Sequence, residues 1–162
     1  MEFEIIDNFL PKQEFEAIKK IVFGTEIDWY WNEEIVSSEE TPHDLYYLSH
    51  NVYKSDSPCS HLFEKMFPII DRLNPKSMIR SKINNYPYHE KLVEHGMHTD
   101  YAFDHLGAVF SFNTCDGYTK FYDGTIIPSV ENRIVIFNSG KMHSSTNTTN
   151  AKRRVNIAIN YF

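Results

Sequence analysis

Gly107-Ala108-Val109-Phe110-Ser111-Phe112-Asn113-Thr114-Cys115-Asp116-Gly117-Tyr118-Thr119-Lys120-Phe121-Tyr122-Asp123-Gly124-Thr125-Ile126-Ile127 holds three short β-rich runs, Gly107 to Asn113, Tyr118 to Tyr122 and Thr125 to Ile127, with turn residues between them. Asp123-Gly124 between the last two is a strong signal for a two-residue hairpin. Similar runs lie on either side: Met78 to Tyr86 upstream, Arg133 to Phe137 and Arg154 to Tyr161 downstream. Short runs at this spacing predict an antiparallel sandwich or barrel.

The first half reads differently. Phe3 to Asp7 predicts a strand, and Pro11 suits the first turn of a helix, where its missing N–H is not needed. From Pro11 to about Phe23, Phe15, Ile18, Ile21 and Val22 fall at helical spacing, with Lys12, Glu16, Lys19 and Lys20 opposite, so this helix should lie on a sheet. Trp29 to Pro42 has no period and reads as a loop or irregular edge. Leu45 to Leu48 is a strand candidate, and His61 to Leu73 a helix that Pro68 should kink or break early. No repeat or linker divides the chain, so the expectation is one domain over 1–162, with a strand and helices in 1–75 and a β-core in about 76–162.

A chain of 162 residues buries enough surface to stand without disulfides, and 41% apolar and 15% aromatic residues supply a core. The net charge of -6 and pI near 5.7 weigh against a nucleic-acid partner held through phosphates. Cys59 and Cys115 show no close pairing and read as free thiols. Met1-Glu2-Phe3-Glu4 has no basic, apolar leader, and no stretch approaches a membrane span, so the expectation is a cytoplasmic chain, in the host's cytoplasm for a viral source.

His98-Thr99-Asp100 places an imidazole and a carboxylate two residues apart, on one side of an extended chain. Alone this is a weak signal in a chain with 8 histidines. Its position sharpens it: the pair follows the first β-run of the sandwich, and His143 follows a later apolar strand, Ile134-Val135-Ile136-Phe137, so two strand ends can converge. Two histidines and a carboxylate on one face of an octahedral ion leave three positions open, as in the facial triad of non-haem iron oxygenases. These can take a bidentate 2-oxo acid and O2. A diacid also needs a partner for its remote carboxylate, and a guanidinium makes two parallel bonds to one. Arg154 opens the last strand and shares a side with Asn156, Ala158 and Asn160, the polar side that should face the cavity.

Other candidates read as structural. His89, His95 and His105 do not form a His-Glu-x-x-His motif and read as loop histidines. Trp29, Tyr30 and Trp31 suit a substrate lid, but aromatics at this place more often seal a core. Glu39-Glu40 reads as a solvated turn. Asn147-Thr148-Thr149 matches a glycosylation sequon that means little without a secretory signal.

The run from Asn84 to Phe162, with His98-Thr99-Asp100, Phe112-Asn113, Gly117-Tyr118-Thr119-Lys120-Phe121, Ile136-Phe137, His143 and Arg154 in order, resembles the prolyl-4-hydroxylase-like branch of Fe(II)/2-oxoglutarate dioxygenases. Ile6-Asp7-Asn8-Phe9-Leu10-Pro11 is similar to the strand-to-helix opening of that branch, and the length fits its short microbial and phage members. The resemblance implies a double-stranded β-helix (jelly roll, cupin-like) flanked by helices. It implies Fe(II) on His98, Asp100 and His143, 2-oxoglutarate on Arg154, and O2 as second co-substrate. Tyr86 is the match for a tyrosine that adds a hydrogen bond to 2-oxoglutarate, with Tyr88 the nearer alternative. The chain departs from the branch in three places. The interval from His143 to Arg154 is slightly long, which keeps Arg153 open as the binding residue. Gly117-Tyr118 stands for Gly-Gly, and Asn160 for a terminal tryptophan, so prolyl specificity does not carry over. The expected activity is hydroxylation of an unidentified substrate. The rivals are a non-catalytic metal or small-molecule binding module on the same scaffold, and a hydrolase using the triad to activate water.

Overall fold

A computed structural model describes residues 3–33 and 44–162. In chain order the elements are β1 (Phe3–Ile6), α1 (Lys12–Phe23), β2 (Tyr30–Asn32), β3 (Tyr47–Lys54), β4 (Ser57–Pro58), a 3-10 turn (Glu64–Met66), α2 (Phe67–Leu73), β5 (Met78–Pro87), β6 (Leu106–Ser111), β7 (Tyr118–Phe121), β8 (Ile126–Pro128), β9 (Arg133–Asn138), β10 (His143–Ser145) and β11 (Arg153–Tyr161). A large antiparallel sheet runs β1-β9-β6-β11-β5-β3-β2, with β4 on β3, and a small one runs β10-β7-β8. The two face each other as the sheets of a jelly roll. Among the described residues no helix is long and apolar enough to cross a membrane.

The alternation of β11 explains the layering. Val155, Ile157, Ile159 and Tyr161 pack with Ile83, Ala108 and Phe110 of the large sheet against Phe15, Ile18 and Val22 of α1 and Ile69 and Ile70 of α2. Each fully buried aliphatic side chain there contributes about 2 kcal/mol, so both helices lie on the outer face of the large sheet. Arg154, Asn156 and Asn160 point the other way, between the sheets, and are also buried. A smaller cluster, Phe121, Ile127, Val135 and Phe137, packs β7 and β8 of the small sheet against β9 of the large one. Asn132, buried and at φ 58, clamps the turn from β1 into α1. Its side chain accepts from the Leu10 N–H (2.9 Å) and donates to the Leu10 carbonyl (2.8 Å).

Several boundaries differ from expectation. Pro11 precedes α1 in an extended conformation instead of sitting in its first turn. Pro68 opens α2 in place of breaking a longer helix, because it falls in the first turn of α2, where a missing N–H leaves no intrahelical bond unmade. The strand expected at Leu45 begins at Tyr47 and runs to Lys54. The β7–β8 hairpin has a three-residue loop: the Gly124 N–H reaches the Phe121 carbonyl and the Phe121 N–H the Thr125 carbonyl, with Gly124 alone at positive φ (85°). Asp123 stays at negative φ and accepts from the Thr125 N–H, so the two-residue turn that needs two positive φ values is not formed. Trp29 packs on the core, but Tyr30 and Trp31 form an exposed edge strand, with Trp31 stacked on Tyr46 at 3.9 Å. Glu39-Glu40 lies outside the described residues.

Candidate active site

His98 and His143 meet by main-chain pairing. Each N–H donates to the other's carbonyl at 2.9 Å, an isolated antiparallel bridge that sets the two side chains on one side. Their rings stand 4.7 Å apart. His98 Nδ1 donates to the Gly96 carbonyl (3.0 Å) and His143 Nδ1 to the Lys141 carbonyl (2.9 Å). A carbonyl can only accept, so both protons sit on Nδ1 and both Nε2 lone pairs face the cavity, the arrangement a metal ligand needs. Asp100 joins them from two residues on, its N–H held by the Ser139 carbonyl. One ligand atom from each of the three lies within 4.8 Å of the others.

The Asp100 carboxylate is held from several sides. Arg80 Nη2 donates to Oδ1 at 2.8 Å, while Ser139 Oγ (2.5 Å) and Asn160 Nδ2 (2.9 Å) donate to Oδ2. Burial alone would raise its pKa. The Arg80 charge and the Ser139 and Asn160 hydrogen bonds outweigh burial and hold the carboxyl well below the usual range. It is therefore ionised and aimed. Burial lowers the pKa of His143 despite the Lys141 carbonyl, which favours the neutral, ligating form. Asn160 also donates to His105 Nε2 (3.1 Å), whose Nδ1–H goes to the Phe103 carbonyl, so this histidine is buried and engaged.

Arg154 lies deeper, paired across the sheet with Tyr86. It is 1% exposed. Nε donates to Ser129 Oγ (2.6 Å), and Nη1 to Ser145 Oγ and the Thr146 carbonyl (2.8 Å). Nη2 reaches only Thr119 Oγ1 at 3.5 Å, at the limit of a hydrogen bond. Among the described residues no carboxylate is within ion-pair distance. Gly117 makes room for it: a Cβ there would stand 2.5 Å from Arg154 Cδ and 2.5 Å from the Asn147 carbonyl oxygen. Arg153 faces outward, stacked on Phe23 at 4.7 Å. Tyr86 lies 5.6 Å under the guanidinium and between Tyr47 and His95, with burial pushing its hydroxyl up to about 12. Tyr88 is 57% exposed, away from the cavity.

A cavity of about 90 Å³ opens onto the three ligand candidates and runs along Arg80, Lys82, Asn84 and Tyr86 of β5, with Asn156 beside them on β11 and Thr119 and Ser145 of the small sheet opposite. The sequence reading missed Arg80, Lys82 and Ser139 as parts of the site, and it put Asn160 on the cavity side without finding its bond to Asp100. The polar period of two on β5, Arg80-Lys82-Asn84-Tyr86, was the available signal. His95 lies outside any helix or strand, as a loop histidine should, but its ring is buried, its Nε2 has no partner among the described residues, and burial drives its pKa to about 3. Asn147 and Thr148 are buried too, so the sequon is inaccessible. Cys59 and Cys115 are free thiols, exposed and buried respectively.

No family model and no curated protein matches this chain. Solved structures do. A prolyl hydroxylase of Trichoplax adhaerens, in complex with a hypoxia-inducible-factor peptide, superposes with a TM-score of 0.65 at 14% identity, covering 99% of this chain and 83% of that one. A Pseudomonas putida prolyl-4-hydroxylase gives 0.63 at 12%, covering 98% and 91%. HygX of Streptomyces hygroscopicus, with nickel, 2-oxoglutarate and hygromycin B bound, gives 0.68 at 11%, covering 98% and 82%. At these identities what is shared is the fold, and it is the jelly roll of 2-oxoglutarate-Fe(II) oxygenases.

Proposed function

We propose that this chain is an Fe(II)- and 2-oxoglutarate-dependent dioxygenase that hydroxylates its substrate. One juxtaposition carries the reading: a two-histidine, one-carboxylate cluster opens onto a cavity behind which a guanidinium is fully buried with no carboxylate partner among the described residues. An unpaired buried charge is costly, so such a site supports an anionic ligand that completes it.

The donor set fits a divalent iron. His98 and His143 would bind through Nε2 and Asp100 through a carboxylate oxygen, leaving one side of the ion to face the cavity. Bound there with 2-oxoglutarate and O2, iron would supply the oxidising chemistry, in which one oxygen atom of O2 goes to succinate as CO2 is lost and the other to a substrate C–H bond. The protein's part is placement. Arg80, Ser139 and Asn160 keep Asp100 ionised and fixed in direction. Arg154 takes the remote carboxylate of the diacid, with Nη2 its least engaged nitrogen, and Tyr86 donates its hydroxyl from the neighbouring strand. Ser129, Ser145 and Thr146 lock the guanidinium in one orientation, so it would meet the co-substrate's carboxylate pre-positioned. Peptidyl proline is one substrate class among those compatible with this arrangement.

Calorimetric titration of 2-oxoglutarate into Mn(II)-loaded protein should show one site per chain. Fe(II)-loaded protein under air should release succinate, against anaerobic and His143→Ala controls. Absence of 2-oxoglutarate binding to the metal-loaded protein removes the dioxygenase reading and puts the binding module first. Activity without 2-oxoglutarate or O2 would favour the hydrolase.

A further inference from the structure

Lys82 projects from β5 into the cavity two residues beyond Arg80, half-buried, and its Nζ donates to the Tyr47 hydroxyl at 3.3 Å. Among the described residues no carboxylate stands within 4 Å of it. Arg80, by contrast, is matched to Asp100 at 2.8 Å. That match changes when the site is loaded. Asp100 and one co-substrate carboxylate together balance a dication, and the remote carboxylate balances Arg154. Arg80 and Lys82 are then two cations with no counter-charge in a confined, partly dry cleft. In a chain of net charge -6 this excess is local and opposite in sign to the whole.

We infer that the primary substrate bears an anionic group, a carboxylate or a phosphate, seated on Lys82 with Tyr47 and Arg80 as further donors, an assignment that rests on the dioxygenase reading above. The donor chemistry is complementary. Lys82 donates to the Tyr47 oxygen, and among the described residues the phenolic hydrogen has no acceptor, so it is available for a third partner. Burial raises the Tyr47 pKa, so the phenol keeps that hydrogen at neutral pH. Burial, and after it the Arg80 charge, brings Lys82 down to about 8, so the ammonium persists at neutral pH but at a cost that an arriving anion relieves. The Lys82 ammonium also lies 5.2 Å from the Tyr47 ring centroid, and Tyr47 stacks on Tyr86 at 5.5 Å, which ties the anion seat to the tyrosine proposed to face the co-substrate. A group held here lies on the same cavity as His98, Asp100 and His143, so it acts as a handle that presents a neighbouring C–H bond to the metal side.

The test uses protein loaded with Mn(II) and saturating 2-oxoglutarate, titrated separately with inorganic phosphate and with acetate. Paramagnetic broadening of the phosphate ³¹P line or the acetate methyl line reports residence near the metal. Saturable broadening is expected for at least one anion, and the stronger of the two identifies the handle. Lys82→Met should weaken it at least about tenfold, Lys82→Arg should retain it, and Tyr47→Phe should weaken it several-fold. Thermal melting and Mn(II) affinity establish that each variant is folded. If Lys82→Met does not fold, Tyr47→Phe and Lys82→Arg carry the comparison. Normal Mn(II) and 2-oxoglutarate binding with no saturable broadening, or broadening that Lys82→Met and Tyr47→Phe leave unchanged, overturns the inference alone. Loss of 2-oxoglutarate binding in the unsubstituted protein overturns the dioxygenase reading and this inference with it.

Discussion

Arg154→Met separates a binding role from a structural one, because the two predict different balances of stability and affinity. In the unliganded protein the guanidinium is 1% exposed and without a carboxylate partner among the described residues, so removing its charge relieves a desolvation cost of several kcal/mol. Against this stand its bonds to Ser129, Ser145 and the Thr146 carbonyl, each worth about 1.5–3 kcal/mol from a charged donor. Both serine hydroxyls can rotate toward new partners, and Met fills much of the space left by the arginine stem. The opposing effects should cancel to within about 2 kcal/mol, a melting shift under about 8 °C for a chain of this length. Co-substrate binding has no such compensation. A shielded guanidinium–carboxylate pair is lost outright, at about 3 kcal/mol or more, which exceeds a hundredfold in Kd. Calorimetry with Mn(II)-loaded protein measures both constants, and Mn(II) affinity should hold. Affinity for 2-oxoglutarate within tenfold of the unsubstituted protein, or equal damage from Arg153→Met, would refute the assignment.

Three other outcomes are expected. His98→Ala, Asp100→Ala and His143→Ala should each abolish tight divalent-metal binding with unchanged far-UV circular dichroism, and unaltered affinity in all three would remove the metal site. Gly117→Ala brings a Cβ to 2.5 Å from Arg154 Cδ and the Asn147 carbonyl oxygen, so it should weaken 2-oxoglutarate at least about tenfold while sparing metal affinity; an equal loss of both would mean general unfolding. His95 has its folded-state pKa depressed to about 3 by burial, against 6.5 unfolded, so below pH 6.5 the unfolded chain takes up a proton that the folded chain refuses. Its contribution is constant above pH 6.5 and increasingly destabilising from there down to about 3, reaching about 2 kcal/mol at pH 5. His95→Phe should flatten the loss of melting temperature between pH 7 and pH 5 in metal-free protein, and parallel losses would place the acid sensitivity elsewhere.

What was legible in the sequence is what depends on the period of one strand. Arg154 to Tyr161 separates polar from apolar residues so cleanly that its two faces, and Arg154's place between the sheets, follow from spacing alone. His98 and Asp100 share a side for the same reason, and the apolar run before His143 marks a strand end. What was not legible depends on register between strands distant in sequence. Arg80 reaches Asp100 because β5 and β11 pair with Arg80 opposite Asn160, so two side chains from adjacent strands converge on one carboxylate. No local period encodes that. His143–Ser145 is too short and polar to announce a strand, yet it pairs with β7 and brings His143 to His98. Most of β3 beyond Leu48 hides for a related reason: Ser49, His50 and Val52 are all buried, so polar residues sit on both faces and the alternation that betrays a half-solvated strand is lost. The same holds for Lys82. On a half-buried strand, isolated charges read as the solvent side, and only the facing small sheet, which encloses the cavity, turns Arg80 and Lys82 from surface cations into lining ones. A row of polar residues at period two, on a strand flanked by others, is as consistent with a site as with solvent. The Tyr86 at the end of the row, an aromatic where a solvated face would carry a charge, is the residue that tips β5 toward the first.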